Sequence, residues 1–155
     1  MDVKKQDSDK DRLTFFLAGI IQGSISEKKI HPQDYRRSIK QTIKKHFPNS
    51  HIICPIEQHP DSINYSYEKG NRTFLELVET ASGADVLVAY LPEASMGTGI
   101  EMWEAKKCGK IIIAVSPLAE NWVVKFLADA VCSSVDELEK YLGGTKFAKL
   151  LNKIP

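Results

Sequence analysis

The sequence lacks the features that would commit it to a membrane, a metal or an oxidising compartment. Its three cysteines, Cys54, Cys108 and Cys132, are odd in number, widely spaced and without a CxxC pair. This argues against a disulfide framework and for reduced thiols in a cytoplasmic protein. The four histidines, His31, His46, His51 and His59, show no HxxxH or His/Cys spacing, so no metal site is expected. No apolar run approaches the roughly 18 residues of a membrane span. Residues 1–12 mix charges without the apolar stretch of a secretory signal, and they read as a disordered tail. An excess of one charge is missing too, because 21 Lys and Arg face 20 Asp and Glu. A small molecule is therefore a better expected partner than nucleic acid or an anionic membrane. There is no repeat, low-complexity segment or linker, and the length suits one domain over residues 13–155.

Within that domain, apolar runs alternate with amphipathic ones. Residues 13–18 (LTFFLA) and 111–115 (IIIAV) read as strands buried on both faces, residues 51–56 as a short strand cut by Pro55, and residues 130–132 as a short last strand. Tyr35, Ile39, Ile43 and Phe47 recur every four positions and predict a helix to residue 47. Its basic residues Arg36, Arg37, Lys40, Lys44 and Lys45 read as a solvated face. Residues 57–70 have no sustained period and predict a long loop, in which Glu57, His59, Asp61, Tyr65 and Tyr67 could line a pocket. Helices are expected over residues 71–82, 98–108, 119–127, 134–142 (N-capped by Ser133 or Ser134) and 145–152. The class is therefore α/β, a three-layer sandwich with a parallel sheet of about five strands.

The stretch over residues 84–110 reads as strand 85–91, a glycine-containing turn, and a helix with Glu101 in its first turn. In a doubly wound sheet the carboxyl ends of the first and third strands meet at the switch point. Gly19, Ile20, Ile21, Gln22 and Gly23 would then lie beside Glu93, Ser95, Gly97, Thr98, Gly99 and Glu101. Amides open at a helix start suit a phosphate or another anion. The same residues also fit a capping box, Thr98 bonding the N3 amide and Glu101 reaching back to the N-cap. Asp85 has a plain reading as well, a polar residue at a strand start bonding a neighbouring turn. Met96, Met102 and Trp103 read as packing residues.

ADVLVA at residues 84–89, SxGxGxE at 95–101, GK before an apolar strand at 109–113, and FLAGIIQG at 16–23 resemble the nucleoside 2-deoxyribosyltransferase superfamily. The resemblance is closest to its branch of deoxynucleoside 5′-monophosphate N-glycosidases. It implies a flavodoxin/Rossmann-like fold, a homodimer, and no metal or organic cofactor. It also implies cleavage or transfer of the N-glycosidic bond of a nucleoside or nucleotide through a glycosyl ester on Glu101. Asp85 would orient the site. Ser95 would bind a 5′-phosphate with the Gly97 and Gly99 amides and the loop of residues 19–23. The family's general acid is a carboxylate on the helix before the central strand, where Glu76 and Glu79 are the nearby candidates. Two positions depart from the pattern: Gln22 stands where the monophosphate branch has an Arg, and Trp103 where a Gly commonly follows the nucleophile by two.

Overall fold

The structure, a computed structural model, describes residues 12–154. Residues 1–11 of the expected tail lie outside the described residues. The elements in chain order are β1 (Thr14–Gly19), α1 (Tyr35–His46), β2 (His51–Ile53), α2 (Pro55–Gln58), a 3₁₀ turn (Ser62–Asn64), α3 (Tyr67–Gly83), β3 (Val86–Tyr90), α4 (Met96–Lys107), β4 (Ile111–Val115), α5 (Trp122–Leu127), β5 (Ala130–Cys132), α6 (Val135–Leu142) and α7 (Thr145–Leu151). The five strands form one sheet in the order β2-β1-β3-β4-β5, with every pair parallel. The α/β class and the parallel sheet are those the alternation implies, and the order of the strands is that of a flavodoxin-like fold.

Side chains alternate across the sheet and divide the core in two. Phe15, Leu17, Val86, Val88, Ile111 and Ile113 pack with Ile39 and Ile43 of α1, Leu138 and Leu142 of α6, and Phe147 of α7. On the opposite face Phe16, Leu87 and Ile112 pack with Ala81 of α3, Met102 and Ala105 of α4, and Val124 of α5. On that second face Ala18, Ala89 and Ala114 stand in register across β1, β3 and β4. The neighbouring row on the first face is Leu17, Val88 and Ile113. A row of methyl groups lets α4 settle close to the carboxyl end of the sheet, and this brings Glu101 near the switch point.

Several boundaries differ from the sequence expectations. β2 stops at Ile53 rather than residue 56 because Pro55, which has no amide proton to give a strand, opens α2. The expected loop over residues 57–70 is mostly structured, as the end of α2, the 3₁₀ turn and the first turn of α3. α3 starts at Tyr67 because the Ser66 hydroxyl accepts from the Lys69 amide at 3.3 Å. α5 starts at Trp122, where the Asn121 side chain accepts from the Val123 amide at 3.0 Å. Arg36 is not on the solvated face of α1. Only 3 % of it is exposed, and it shares the buried stripe of Ile39 and Ile43. Among the described residues no helix is long and apolar enough to cross a membrane.

Candidate active site

Gly19 and Tyr90 pair at the carboxyl ends of β1 and β3. The chain leaves these neighbouring strands toward opposite faces of the sheet, which opens a crevice between the two following loops. The β1–α1 loop is held there by α1. The Ile20 amide donates to the Tyr90 carbonyl at 3.1 Å, and the Ile20 carbonyl accepts from Gln33 Nε2 and from the Tyr35 hydroxyl, each at 3.1 Å. Arg36 donates from Nη1 to the Leu17 carbonyl at 2.8 Å, from Nη2 to the Gly19 carbonyl at 3.3 Å, and from Nε to Gln33 Oε1 at 2.7 Å. The Tyr35 ring stacks on Tyr90, centroids 3.9 Å apart. Gly19 is dictated by this packing, since a Cβ there would sit 2.5 Å from the Tyr35 hydroxyl. Gly23, at φ +55, takes a backbone conformation costly for any other residue. His31 Nε2 lies 2.9 Å from Glu93 Oε1, near enough for an ion pair but off the line of a hydrogen bond, and so links the β1–α1 and β3–α4 loops.

α4 begins at Met96, two residues before the expected start. Ser95 is its N-cap, the Ser95 hydroxyl accepting from the Thr98 amide at 3.4 Å and from the Thr98 hydroxyl at 3.1 Å. Glu101 therefore falls in the second turn, not the first, and the capping-box reading does not hold. No described residue donates a hydrogen bond to its carboxyl, which borders a cavity of about 350 Å³. The side chain keeps some access to water through the cavity, yet protein surrounds the carboxyl closely. Burial pushes its pKa from the ordinary 4.5 up to about 8, against a downward pull from the Arg36 guanidinium. Burial also holds the Tyr35 phenol well above its usual range, and the Glu101 charge adds to this.

The cavity has two unlike walls. Gly19, Gln22, Gly23, Ser95, Gly97, Thr98 and Glu101 make a polar one at the loop ends and the start of α4. Ile63, Tyr65, Phe74 and Leu77 make an apolar and aromatic one from the 3₁₀ turn and α3. None of the lining residues is Lys, Arg or His.

Of the residues expected to bind substrate, Gly19, Ile21, Gln22, Gly23, Ser95, Gly97 and Thr98 line this cavity with Glu101. Ile20 points into the core, Glu93 pairs with His31, and Gly99 faces a separate hollow. Asp85 is far from them, at the amino end of β3, where its carboxylate accepts from the Thr14 amide at 2.8 Å. It is the strand-start residue of the plainer reading and touches nothing in the crevice. Glu76 and Glu79 are exposed on α3 and do not reach the cavity either. Trp103, 52 % exposed, lines the separate apolar hollow of about 520 Å³ with Ile100 and Val123. Among the loop candidates Tyr65 faces the cavity, Glu57 pairs with Lys40, Asp61 bonds Asn64, and Tyr67 is exposed. Arg36, Gln33 and Tyr35 hold the β1–α1 loop, although the sequence reading gives none of them a place in the site. The signal was present in the 36, 39, 43 spacing, which places Arg36 on the apolar stripe.

The strand order and the crevice define an α/β protein of the flavodoxin-like class with a carboxyl group at its switch point. Solved structures share this fold. A 2-deoxyribosyltransferase from the psychrotolerant bacterium Bacillus psychrosaccharolyticus superposes with TM-score 0.64 at 19 % identity, over 88 % of this chain and 95 % of that one. The solution structure of BlsM gives TM-score 0.65 at 18 % identity over 94 % and 95 %, and a conserved protein from Enterococcus faecalis 0.61 at 20 % over 85 % and 98 %. No protein-family profile and no curated protein sequence matches the chain.

Proposed function

We propose that the protein cleaves or transfers the N-glycosidic bond of a nucleoside, with Glu101 as nucleophile. The observation that carries this is the Glu101 carboxyl, enclosed and without a hydrogen-bond partner at the wall of a small cavity, on the fold of a 2-deoxyribosyltransferase. A carboxyl serving only the fold would be capped, paired or solvated. Attack by a Glu101 oxygen on the anomeric carbon forms a glycosyl ester while the base departs with the bonding electron pair. Water or a second base then takes the sugar. The polar wall suits the sugar hydroxyls and the aromatic wall suits a planar base. With no cation lining the cavity, and with Arg36 bound to main-chain carbonyls and Gln33, an unphosphorylated nucleoside fits better than a 5′-monophosphate.

The test is to incubate the protein with ribo- and deoxynucleosides and their 5′-monophosphates and assay free base by chromatography. Release of base from a nucleoside, lost in Glu101→Gln, is the expected outcome; no release, or an unimpaired Glu101→Gln, refutes the reading. A second reading, a nucleotide-binding or sensing module without turnover, is favoured by the absence of a second carboxylate from the cavity lining. It predicts a ligand-induced rise in melting temperature with no base released. We also propose a homodimer through α4 and α5, where Met96, Ile100, Trp103, Trp122 and Phe126 expose a shared apolar face. Sedimentation should show a dimer that Trp103→Glu splits, and a wild-type monomer refutes it.

A further inference from the structure

A departing nucleobase needs a proton, because expelling it as an anion leaves charge on nitrogen. The cavity wall offers no acid of the usual kind, since Glu101 is its one carboxyl group. The side chains there that carry a transferable hydrogen are Gln22, Ser62, Tyr65, Thr73, Ser95 and Thr98. The Ser95 and Thr98 hydroxyls are engaged with each other at the helix cap. Tyr65 differs from the rest in being backed by a titratable group. Its hydroxyl lies 3.1 Å from His59 Nδ1, behind the cavity wall, with the two rings edge to face. Tyr65 also belongs to the aromatic wall, with Ile63, Phe74 and Leu77, where a planar base would lie.

We propose that Tyr65 is the proton donor to the departing base and that His59 acts through it as the proton reserve. The inference rests on the nucleoside reading of the Glu101 cavity. As the bond from the anomeric carbon to the base breaks, its electron pair stays on the base and the Glu101 oxygen bonds the carbon. The Tyr65 hydroxyl proton passes to the base as the Nδ1 proton of His59 moves to the Tyr65 oxygen and Nε2 of the same half-buried ring takes a proton from water. When water opens the ester, its proton returns by the same two groups, the Glu101 carboxylate is regenerated, and the sugar leaves. The Lys69 ammonium of α3 lies 3.8 Å from the Tyr65 ring centroid, where a cation favours a developing phenolate; Glu57 is held by Lys40 and Asp61 by Asn64.

The experiment compares 2′-deoxyguanosine with 7-methyl-2′-deoxyguanosine, whose base is already cationic and leaves neutral without a proton. Tyr65→Phe keeps the aromatic wall and removes only the donor. It should lower kcat about a hundredfold on 2′-deoxyguanosine and change it by no more than about threefold on the methylated nucleoside. His59→Gln, which can still bond Tyr65 but cannot supply a proton, should show the same selective loss. Glu101→Gln should lose both substrates. Equal losses on the two substrates in Tyr65→Phe, or no loss on either, would overturn the donor role while leaving the Glu101 reading intact. A wild type that cleaves neither nucleoside, or a fully active Glu101→Gln, overturns the underlying reading and this proposal with it.

Discussion

Replacing Glu101 by Gln should make the protein more stable, by an amount that grows with pH. The folded carboxyl holds its proton up to about pH 8, whereas an ordinary carboxyl releases it near 4.5. Between those values the folded state binds a proton that the unfolded chain has already given up. The carboxyl's contribution to stability is therefore complete below 4.5 and is lost as pH rises to about 8. At 1.36 kcal/mol per pH unit the full window is worth on the order of 5 kcal/mol, of which roughly 3 kcal/mol is already gone at pH 7. Water in the cavity screens part of this, so about 2–3 kcal/mol is the expected gain of the variant over wild type near pH 8. Gln carries no charge and so does not share the loss. Urea unfolding of both proteins at about pH 5, 7 and 9 gives the comparison, with near equality at the lowest pH and a gap that widens and then levels off. A gap that stays flat across that range would mean that Glu101 is solvated like a surface residue. The enclosed, poised carboxyl on which the proposed chemistry depends would then be gone.

Since the nucleophile must be ionised, kcat/KM for base release should fall about tenfold per pH unit below about 8, and a level profile from there to neutrality would contradict it. Gly19→Ala puts a Cβ 2.5 Å from the Tyr35 hydroxyl and should cost about 1–3 kcal/mol in thermal or urea unfolding. Adding Tyr35→Phe should recover part of that loss but not all, because ring carbons remain at 3.1 Å. Arg36→Met keeps the length of the buried side chain but leaves the Leu17 and Gly19 carbonyls without their donor, so it should destabilise by about 3 kcal/mol or more. It should also raise the pH at which Glu101 titrates, because the attraction that favours the carboxylate is removed.

The crevice depends on packing that is itself modest in sequence terms. Three alanines in register let α4 approach the sheet, and one glycine lets a tyrosine hydroxyl close over β1. Bulk at any of these four positions would push α4 or the β1–α1 loop outward and change the distance between Glu101 and its surroundings. The opposite face of the sheet, filled by Leu17, Val88 and Ile113, carries the larger share of apolar bulk.

Composition and periodicity fix the class and the succession of strands and helices along the chain. β-Branched and aromatic runs alternating with amphipathic ones leave a parallel sheet as the economical solution, and the last strand at residues 130–132 and the start of the Ser134-capped helix fell where composition placed them. The sequence also marked Glu101 and the glycine loop, because a parallel sheet gathers its loops at one end. Asp85 shows how far that rule reaches, since a residue preceding β3 must lie at the other end of the sheet from a site at the carboxyl ends. Tertiary structure decided what depends on neighbours from distant parts of the chain. Ser95 and not Thr98 caps α4, because its hydroxyl meets both groups of Thr98, and this moved Glu101 out of the first turn. Arg36 became buried because the carbonyls of Leu17 and Gly19 at the end of β1 give its guanidinium partners. Tyr65 and His59, six residues apart in a stretch without period, were joined by a short helix and a 3₁₀ turn that bring the hydroxyl within 3.1 Å of the imidazole. Periodicity reports which face of an element is apolar, but burial of a charge and the meeting of two polar groups are set by the packing around them.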